Sequence, residues 1–157
     1  MISEIFNNQT LCIENILYSR SWITQQGFNE LLTKMENLLI ERMAKKSGSI
    51  ITITNAIEMQ DGQAVMDVEI LIPLEKEIDI TDDFKFIHRL EITNALKIRI
   101  DGNPQQLQQA THLLTEYIAK NKLNPTTPLI VVNVNGKTAP LKIDAMITDI
   151  YIGVKVD

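Results

Sequence analysis

The feature that most constrains the fold of this chain is an internal duplication. Residues 90–99 stand 79 positions after residues 11–20, and the two segments share Leu, Ile, Asn, Leu and Arg at matching places. The same spacing aligns two apolar helical stripes, pairing Phe28 with Leu107, Leu31 with Ala110, Met35 with Leu114, Leu38 with Tyr117 and Leu39 with Ile118. Because positions predicted to be buried in one helix align with positions predicted to be buried in the other, the chain is predicted to consist of two related units.

Each half is predicted to form a strand, a helix and two further strands. Alternating or β-rich runs predict strands at residues 9–23, 49–59, 63–72, 86–100, 129–134 and 142–156. One amphipathic helix is predicted from the N-cap Thr24 to residue 43, with Met35 and Met43 filling the core, and the other after the N-cap Asn103. Asp61-Gly62 and Asn135-Gly136 are predicted to turn the chain between paired strands.

These elements predict an α+β fold, in which duplicated β-α-β-β units form an antiparallel sheet. Two long helices would cover one face of the sheet and leave an open groove on the other. We expect a single domain with pseudo-twofold repeats at about 9–74 and 86–156, joined by an acidic linker at 75–85.

Side-chain alternation predicts which residues face away from the helices. From residue 49 onward the repeat is aligned at a spacing of 80, which places Ile130, Val132 and Val134 toward the helices. The open face is then predicted to carry Ile51, Ile53, Glu69, Leu71, Val131, Asn133, Asp149 and Tyr151. Such an apolar face is typical of a surface that covers a ligand or a partner. Trp22, the sole Trp, is equally compatible with core packing and with a wall of the groove.

Composition excludes several classes of protein. With 45% apolar residues and a net charge of -5, the chain is neither disordered nor a favourable binder of nucleic acid, which needs clustered Lys and Arg. The single Cys12 forms no internal disulfide, and neither a signal peptide nor a membrane-spanning segment is recognisable, so a cytoplasmic location is expected.

The chain resembles the GyrI-like small-molecule-binding domain, the effector module of bacterial multidrug-responsive regulators. The resemblance rests on residues 96–104, a strand that leads through Gly102 into a helix, and on the closing strand at residues 148–154, where the family often has Pro in place of Gly153. It implies a duplicated β-α-β-β fold whose groove takes hydrophobic, often cationic compounds. The family commonly has a Glu where this chain has Val131 and a Tyr where it has Asn133, so the carboxylate that serves the cation is absent from its usual place.

The chain is also similar to a group of Gram-positive bacterial proteins of about this length. Their genes lie near type VII secretion clusters that encode polymorphic toxins. This second resemblance implies that the open face is a docking surface for another protein.

The sequence shows no catalytic constellation, metal site or cofactor motif. His112 and Glu116 have the i,i+4 spacing of a ligand pair but are predicted to form a solvent-facing pair. His88 is expected to have a structural or surface role, Cys12 to be packed in a strand, and Glu69 and Asp149 to be solvated carboxylates.

We therefore predict a non-enzymatic protein of GyrI-like type that binds a small hydrophobic or amphipathic molecule in the groove between the repeats. The alternative is a protein-interaction or accessory module for type VII secretion of a toxin. No nucleic acid or membrane partner is expected, and a homodimer is left open. The predicted ligand contacts are Trp22, Ile51, Ile53, Glu69, Leu71, Val131, Asn133, Asp149 and Tyr151.

Overall fold

The computed structural model describes residues 2–80, 83–103, 106–134 and 146–156. Within them lie β1 (Phe6–Ile23), α1 (Gln25–Glu41), β2 (Ile51–Gln60), β3 (Gln63–Pro73), β4 (Lys85–Asp101), α2 (Leu107–Lys120), β5 (Leu123–Pro125), β6 (Ile130–Asn133) and β7 (Ile147–Val156). The predicted α+β class with antiparallel strands is confirmed. The predicted turn at Asn135-Gly136 lies outside the described residues. Within the described ranges, neither helix is long and apolar enough to cross a membrane.

The chain divides into two compact units. The first unit comprises residues 13–90, and the second comprises residues 1–12 with 91–157. The repeat bounds of 9–74 and 86–156 inferred from the sequence stay a prediction.

In the first unit, helix α1 begins as predicted but ends earlier. The Thr24 side chain accepts a hydrogen bond from the Gly27 N–H at 3.1 Å, which satisfies one of the free donors of the first turn. The helix ends at Glu41, because Met43 adopts a left-handed conformation (φ 51°) and the chain turns away. The prediction that Met43 fills the core is wrong, since its side chain is 86% exposed.

The sheet of the first unit has β3 between β1 and β2. The predicted hairpin is confirmed: Asp61 and Gly62 have φ angles of 51° and 77°, which suit the two-residue turn joining β2 and β3. One face of the sheet packs against α1. Its buried core is formed by Leu17, Met35, Leu38, Leu39, Val68, Ile70, Ile72, Leu74 and Phe84.

In the second unit, β7 pairs with β4, β6 and the short strand β5. The sequence did not predict β5. Helix α2 begins at Leu107 with Gln106 as its N-cap residue, later than the predicted N-cap at Asn103. The core beneath α2 contains Leu96, Ile98, Ile100, Ala110, Leu114, Ile150, Ile152 and Val154, as the predicted apolar stripes require.

The duplication extends to backbone conformation and strand register. Asn15 and Asn94, which stand 79 positions apart, both interrupt a strand in the left-handed region, at φ 54° and 53°. Tolerance of this region by the short polar side chain of Asn explains why the residue recurs there. The pairing of Arg20 opposite Glu69 in the first unit matches that of Arg99 opposite Asp149 in the second.

Gly153 marks a local difference between the two units, since Pro73 occupies the corresponding position of the first unit. The Gly153 N–H donates a hydrogen bond to Thr127 Oγ1 at 2.9 Å, and its carbonyl accepts one from the Thr126 N–H at 2.7 Å. A Cβ atom at this position would lie 2.6 Å from Thr126 Oγ1. Gly153 therefore permits a close approach of the segment after β5, and proline could not donate the bond to Thr127.

Candidate functional site

The sheet face opposite α1 carries the predicted polar residues of the first unit. Val68 and Ile70 contribute to the core under α1, so alternation along β3 places Asp67, Glu69 and Leu71 on the opposite face. Antiparallel register brings further residues of β1 and β2 to this face. They are Tyr18, Arg20, Trp22, Ile51 and Ile53.

Glu69 is the centre of a hydrogen-bond cluster on this face. The Tyr18 hydroxyl donates to Glu69 Oε1, and Asn55 Nδ2 donates to Glu69 Oε2 at 3.0 Å. Tyr18 and Asn55 were not predicted as site residues. Tyr18 could have been found from its shared strand face with Trp22, whereas Asn55 lies at a bulge in β2 that changes the pairing register.

Within the described part of the chain, Glu69 forms no salt bridge. Arg20 lies opposite it in register but instead forms a bidentate pair with Asp67, with Nε–Oδ1 and Nη2–Oδ2 distances of 3.0 and 2.8 Å. This hydrogen bonding raises the pKa of Arg20 and lowers the pKa of Asp67. The guanidinium is thus hydrogen-bonded to Asp67 and acts on Glu69 only through its charge, while neutral donors form the hydrogen bonds to Glu69.

Tyr18 is held in its protonated form. Burial, followed by its hydrogen bond to Glu69, raises the pKa of the Tyr18 phenol to about 12. An ionised phenolate beside the Glu69 carboxylate would place two negative charges together, so the protonated phenol remains a donor over the physiological pH range.

The apolar residues of this face are less accessible than the sequence suggested. The exposed fraction is only 2% for Ile51, 8% for Ile53 and 2% for Leu71. By contrast, Trp22 is 49% exposed. Direct contact with a ligand from solvent is therefore open to Trp22 and the half-buried polar cluster, and less so to the three aliphatic side chains.

On the corresponding face of the second unit, the carboxylate is neutralised. Asp149 is 3% exposed and accepts two hydrogen bonds from Arg99, at 2.7 and 2.9 Å. Lys97 Nζ lies 3.6 Å from Asp149 Oδ2 and 5.8 Å from the centre of the Tyr151 ring. Burial, with a contribution from the Asp149 charge, raises the pKa of Tyr151. The prediction of a solvated carboxylate is wrong for Asp149, because two cations hold it in a buried position.

The predicted facing of β6 is also wrong. Ile130 pairs directly with Tyr151, and Val131 pairs with Ile150, which belongs to the core under α2. Val131 and Asn133 therefore face the helix side, while Ile130 and Val132 lie on the face of Tyr151. The repeat spacing of 79 extends through β6, so that Ile130, not Val131, corresponds to Ile51. The alignment at a spacing of 80 began one strand too early, and this exchanged the two predicted faces of β6.

Other chemically active residues lie at the surface. The expected pair of His112 Nε2 and Glu116 Oε1 is confirmed at 3.0 Å, with side chains 71% and 62% exposed. Cys12 is exposed, contrary to the predicted packed thiol, while His88 stacks edge-on against Phe86. No group of three or more metal-ligating side chains occurs among the residues that the structure describes.

Comparisons with known proteins identify the fold. No family model and no curated protein sequence matches the chain. The structure is similar to the EcmrR C-terminal domain, with a TM-score of 0.71 and 16% identity over 96% of this chain and 99% of that one. In the EcmrR–DNA complex, the same likeness covers 95% of this chain but only 58% of the EcmrR chain. An uncharacterised conserved protein from Listeria innocua matches with a TM-score of 0.63 and 11% identity, over 97% of this chain and 91% of that one.

A further comparison overturns the expectation that a protein of this kind is not an enzyme. Two structures of hydrolases from Listeria innocua share the fold, each with a TM-score of 0.59, at 11% and 9% identity. Each covers 97% of this chain and 91% of the hydrolase chain. The expectation derived from the absence of a catalytic motif is therefore corrected, since proteins called hydrolases share this fold. None of the comparisons supports the alternative of a secretion accessory module.

Proposed function

We propose that this protein binds a small amphipathic molecule that carries a positive charge, with Glu69 as the partner of that charge. The observation that carries the proposal is the difference between the two duplicated carboxylates. Asp149 is neutralised by Arg99 and Lys97, whereas Glu69 is bound by neutral donors only. The binding role implied by the resemblance to GyrI-like domains agrees with the fold shared with the EcmrR C-terminal domain.

Glu69 retains the capacity to accept a further ligand. An ionised carboxylate has about four acceptor positions, of which Tyr18 and Asn55 use one on each oxygen. Glu69 is half-buried, and in such a position the attraction between unlike charges is stronger than in open water. A cation that reached this carboxylate would therefore gain more than it would at the surface.

Trp22 supplies an apolar contact for the same ligand. It lies on the face of Glu69, pairs in register with Asp67 and is half exposed. A flat indole surface suits an aromatic or aliphatic frame, and the face of the ring also attracts cations. Of the apolar contacts predicted from the sequence, Ile51, Ile53 and Leu71 share this face with Glu69.

The test is a fluorescence titration that follows Trp22, the only tryptophan. The probes are rhodamine 6G and tetraphenylphosphonium as hydrophobic cations and Nile red as a neutral dye. We expect saturable binding of a cationic probe, which Glu69→Gln weakens about tenfold, as loss of a charge-assisted contact predicts. Glu58→Gln, at an exposed site on β2, is the matched control and should leave binding unchanged. Absence of saturable binding, or equal loss in both variants, would contradict the proposal.

A second candidate function is hydrolysis of the bound molecule. It is favoured by the two hydrolases that share the fold and by Glu69, which has no direct ion pair among the described residues and could take a proton from water while the water oxygen attacks an ester carbonyl. The proton would then pass to the departing alkoxide. Asp149 is unsuited to this role, because Arg99 occupies both of its oxygens.

The two candidates are separated by measuring binding and turnover in the same variants. Release of p-nitrophenol from p-nitrophenyl butyrate that is abolished by Glu69→Gln, with Nile red binding retained, would establish hydrolysis. If wild-type protein releases p-nitrophenol no faster than buffer, or if Glu69→Gln releases it as fast as wild type, this hydrolytic role is excluded.

A further inference from the structure

The second unit contains a cavity that the proposed function does not use. It has a volume of about 370 Å³, at the lower end of the range typical of small-molecule sites. The cavity lies on the side of the sheet that faces α2, since Leu96 and Val154 in its lining also belong to the core beneath that helix. Asp149 and Tyr151 lie on the opposite face.

Four asparagines line this cavity, which is open to the surface, and all four are exposed residues. Asn7, Asn8, Asn94 and Asn121 all contribute to it. Successive residues of a strand normally point to opposite faces, yet Asn7 and Asn8 both reach the cavity. Asn8 has φ 54°, and this left-handed residue breaks the alternation as a bulge does.

The remaining lining combines apolar surface with two more polar groups. Leu96, Leu123 and Val154 provide apolar surface, and Tyr117 and Lys155 add a phenol and an ammonium group. No carboxylate lines the cavity among the described residues. Asn121, the C-cap residue of α2, shares the cavity with Lys155, and the partial negative charge of the helix end offsets part of the lysine charge. The lining therefore carries only a small net charge.

We infer that this cavity is a binding site for a small neutral molecule with several hydroxyl groups, of the chemical class of monosaccharides. A carboxamide both donates and accepts hydrogen bonds, as a hydroxyl does, so the asparagine side chains complement a polyol. Asn121 Nδ2 already donates to the Tyr117 carbonyl, which leaves the Asn121 side-chain oxygen and one N–H for a ligand. The apolar lining suits the C–H face of a sugar ring. Lys155 and Tyr117 can donate to hydroxyl or ring oxygens, and the absence of a carboxylate among the described lining residues removes the usual partner of a cation.

The duplication supplies a matched pair of variants for the test. Asn94 lines the cavity, and Asn15 is its counterpart in the first unit, with nearly the same left-handed φ. Glycine tolerates this conformation without strain, so Asn94→Gly and Asn15→Gly each remove one carboxamide and preserve the backbone. Lys155→Gln removes the charge from the cavity, and Lys120→Gln on the exposed end of α2 is its control.

The experiment uses the full chain and saturation-transfer NMR with D-glucose, D-galactose and N-acetyl-D-glucosamine as probes, and with D-gluconate as the anionic comparator. We expect saturable binding of at least one neutral sugar, weakened about fivefold by Asn94→Gly, as the loss of one hydrogen bond predicts, and unchanged by Asn15→Gly and Lys120→Gln. Lys155→Gln should weaken it without creating a preference for the anion. Absence of binding by all three neutral sugars, binding of gluconate alone, or equal effects of Asn94→Gly and Asn15→Gly would overturn the inference. Glu69→Gln should have no effect, which separates this site from the proposed function.

Discussion

Glu69 and Asp149 occupy corresponding positions in the last strands of the two units, and each has an arginine directly opposite. Their environments nevertheless differ. In the first unit Arg20 has a second acidic neighbour, Asp67, and binds it; in the second unit the position corresponding to Asp67 is Ile147, so Arg99 binds Asp149.

The residue two positions before the arginine also differs between the units, and this difference again gives Asp149 a cation that Glu69 lacks. Position 18 is a tyrosine that donates to Glu69, while the corresponding residue of the second unit, Lys97, adds a second cation beside Asp149. The two units thus differ at three of these positions, Asp67 against Ile147, Tyr18 against Lys97 and Glu69 against Asp149, and only Glu69 lacks a direct ion pair among the described residues. A repeated carboxylate therefore has no fixed role, because the cations nearest to it determine what it can bind.

The largest effect that tests this comparison is expected at Asp149. Asp149→Ala leaves Arg99 and Lys97 without their buried partner and should lower the free energy of unfolding by about 3 kcal/mol. Glu69→Ala removes two hydrogen bonds from neutral donors and leaves no unpaired charge, so it should cost about 2 kcal/mol. Urea denaturation of both variants measures the difference. Equal losses would show that the ion pairs of Asp149 do not contribute more to stability than the hydrogen bonds of Glu69.

The next largest effect concerns Gly153, where the units differ in backbone packing. Gly153→Ala forces a Cβ against Thr126 and Thr127 and should cost about 2 kcal/mol in the same denaturation assay. Gly48→Ala is the control, because the nearest atom to its Cβ would be a carbon of Pro73 at 3.8 Å. Similar stabilities of the two variants would contradict the close approach at Gly153.

A smaller effect is expected at Tyr18. Tyr18→Phe removes the donor to Glu69 and should cost about 1 kcal/mol near neutral pH. It should also remove a tyrosine ionisation at high pH, since burial and the hydrogen bond to Glu69 raise the pKa of Tyr18 to about 12. Ultraviolet absorbance of the phenolate measures this step. Tyr117→Phe, on α2, is the comparison variant and should leave the step in place.

The raised pKa of the Tyr18 phenol also predicts how the free energy of unfolding changes at alkaline pH. Unfolded Tyr18 ionises near its ordinary pKa of 10.0, whereas the folded state keeps the proton until about pH 12. The folded state therefore binds more protons in this window, and stability should fall as pH rises from 10 towards 12. The fall should be shallower in Tyr18→Phe. An unchanged slope would show that Tyr18 is not the group responsible.

The smallest effect is expected for the exposed pair of His112 and Glu116. Both side chains are mostly in water, so Glu116→Gln should change the free energy of unfolding by less than about 0.5 kcal/mol. This variant serves as the baseline against which the loss in Asp149→Ala is judged. A loss comparable to that of Asp149→Ala would mean that exposure does not separate the two kinds of ion pair.

Much of the framework followed from the sequence alone. Apolar periodicity predicted α1 and the strands other than β5, and Asp61-Gly62 predicted the hairpin, because both signals are local. Alternation also assigned Glu69 and Asp149 to the faces away from the helices. The predicted facing of β6 is wrong. Alternation shows that neighbouring residues face opposite sides of a strand, but it does not show which of them faces the helices. A one-residue insertion between repeats can also be placed on either side of a short strand.

The sequence determined the duplication, its paired arginines and its paired left-handed asparagines, since all of these recur at a fixed spacing. The fold itself selects Asp67 as the partner of Arg20 and Asp149 as the partner of Arg99, and it leaves Tyr18 and Asn55 as the hydrogen-bond donors to Glu69. The physical reason is that a side chain's partner depends on strand register and on bulges. These bring residues about 50 positions apart to within hydrogen-bonding distance, which no local pattern records.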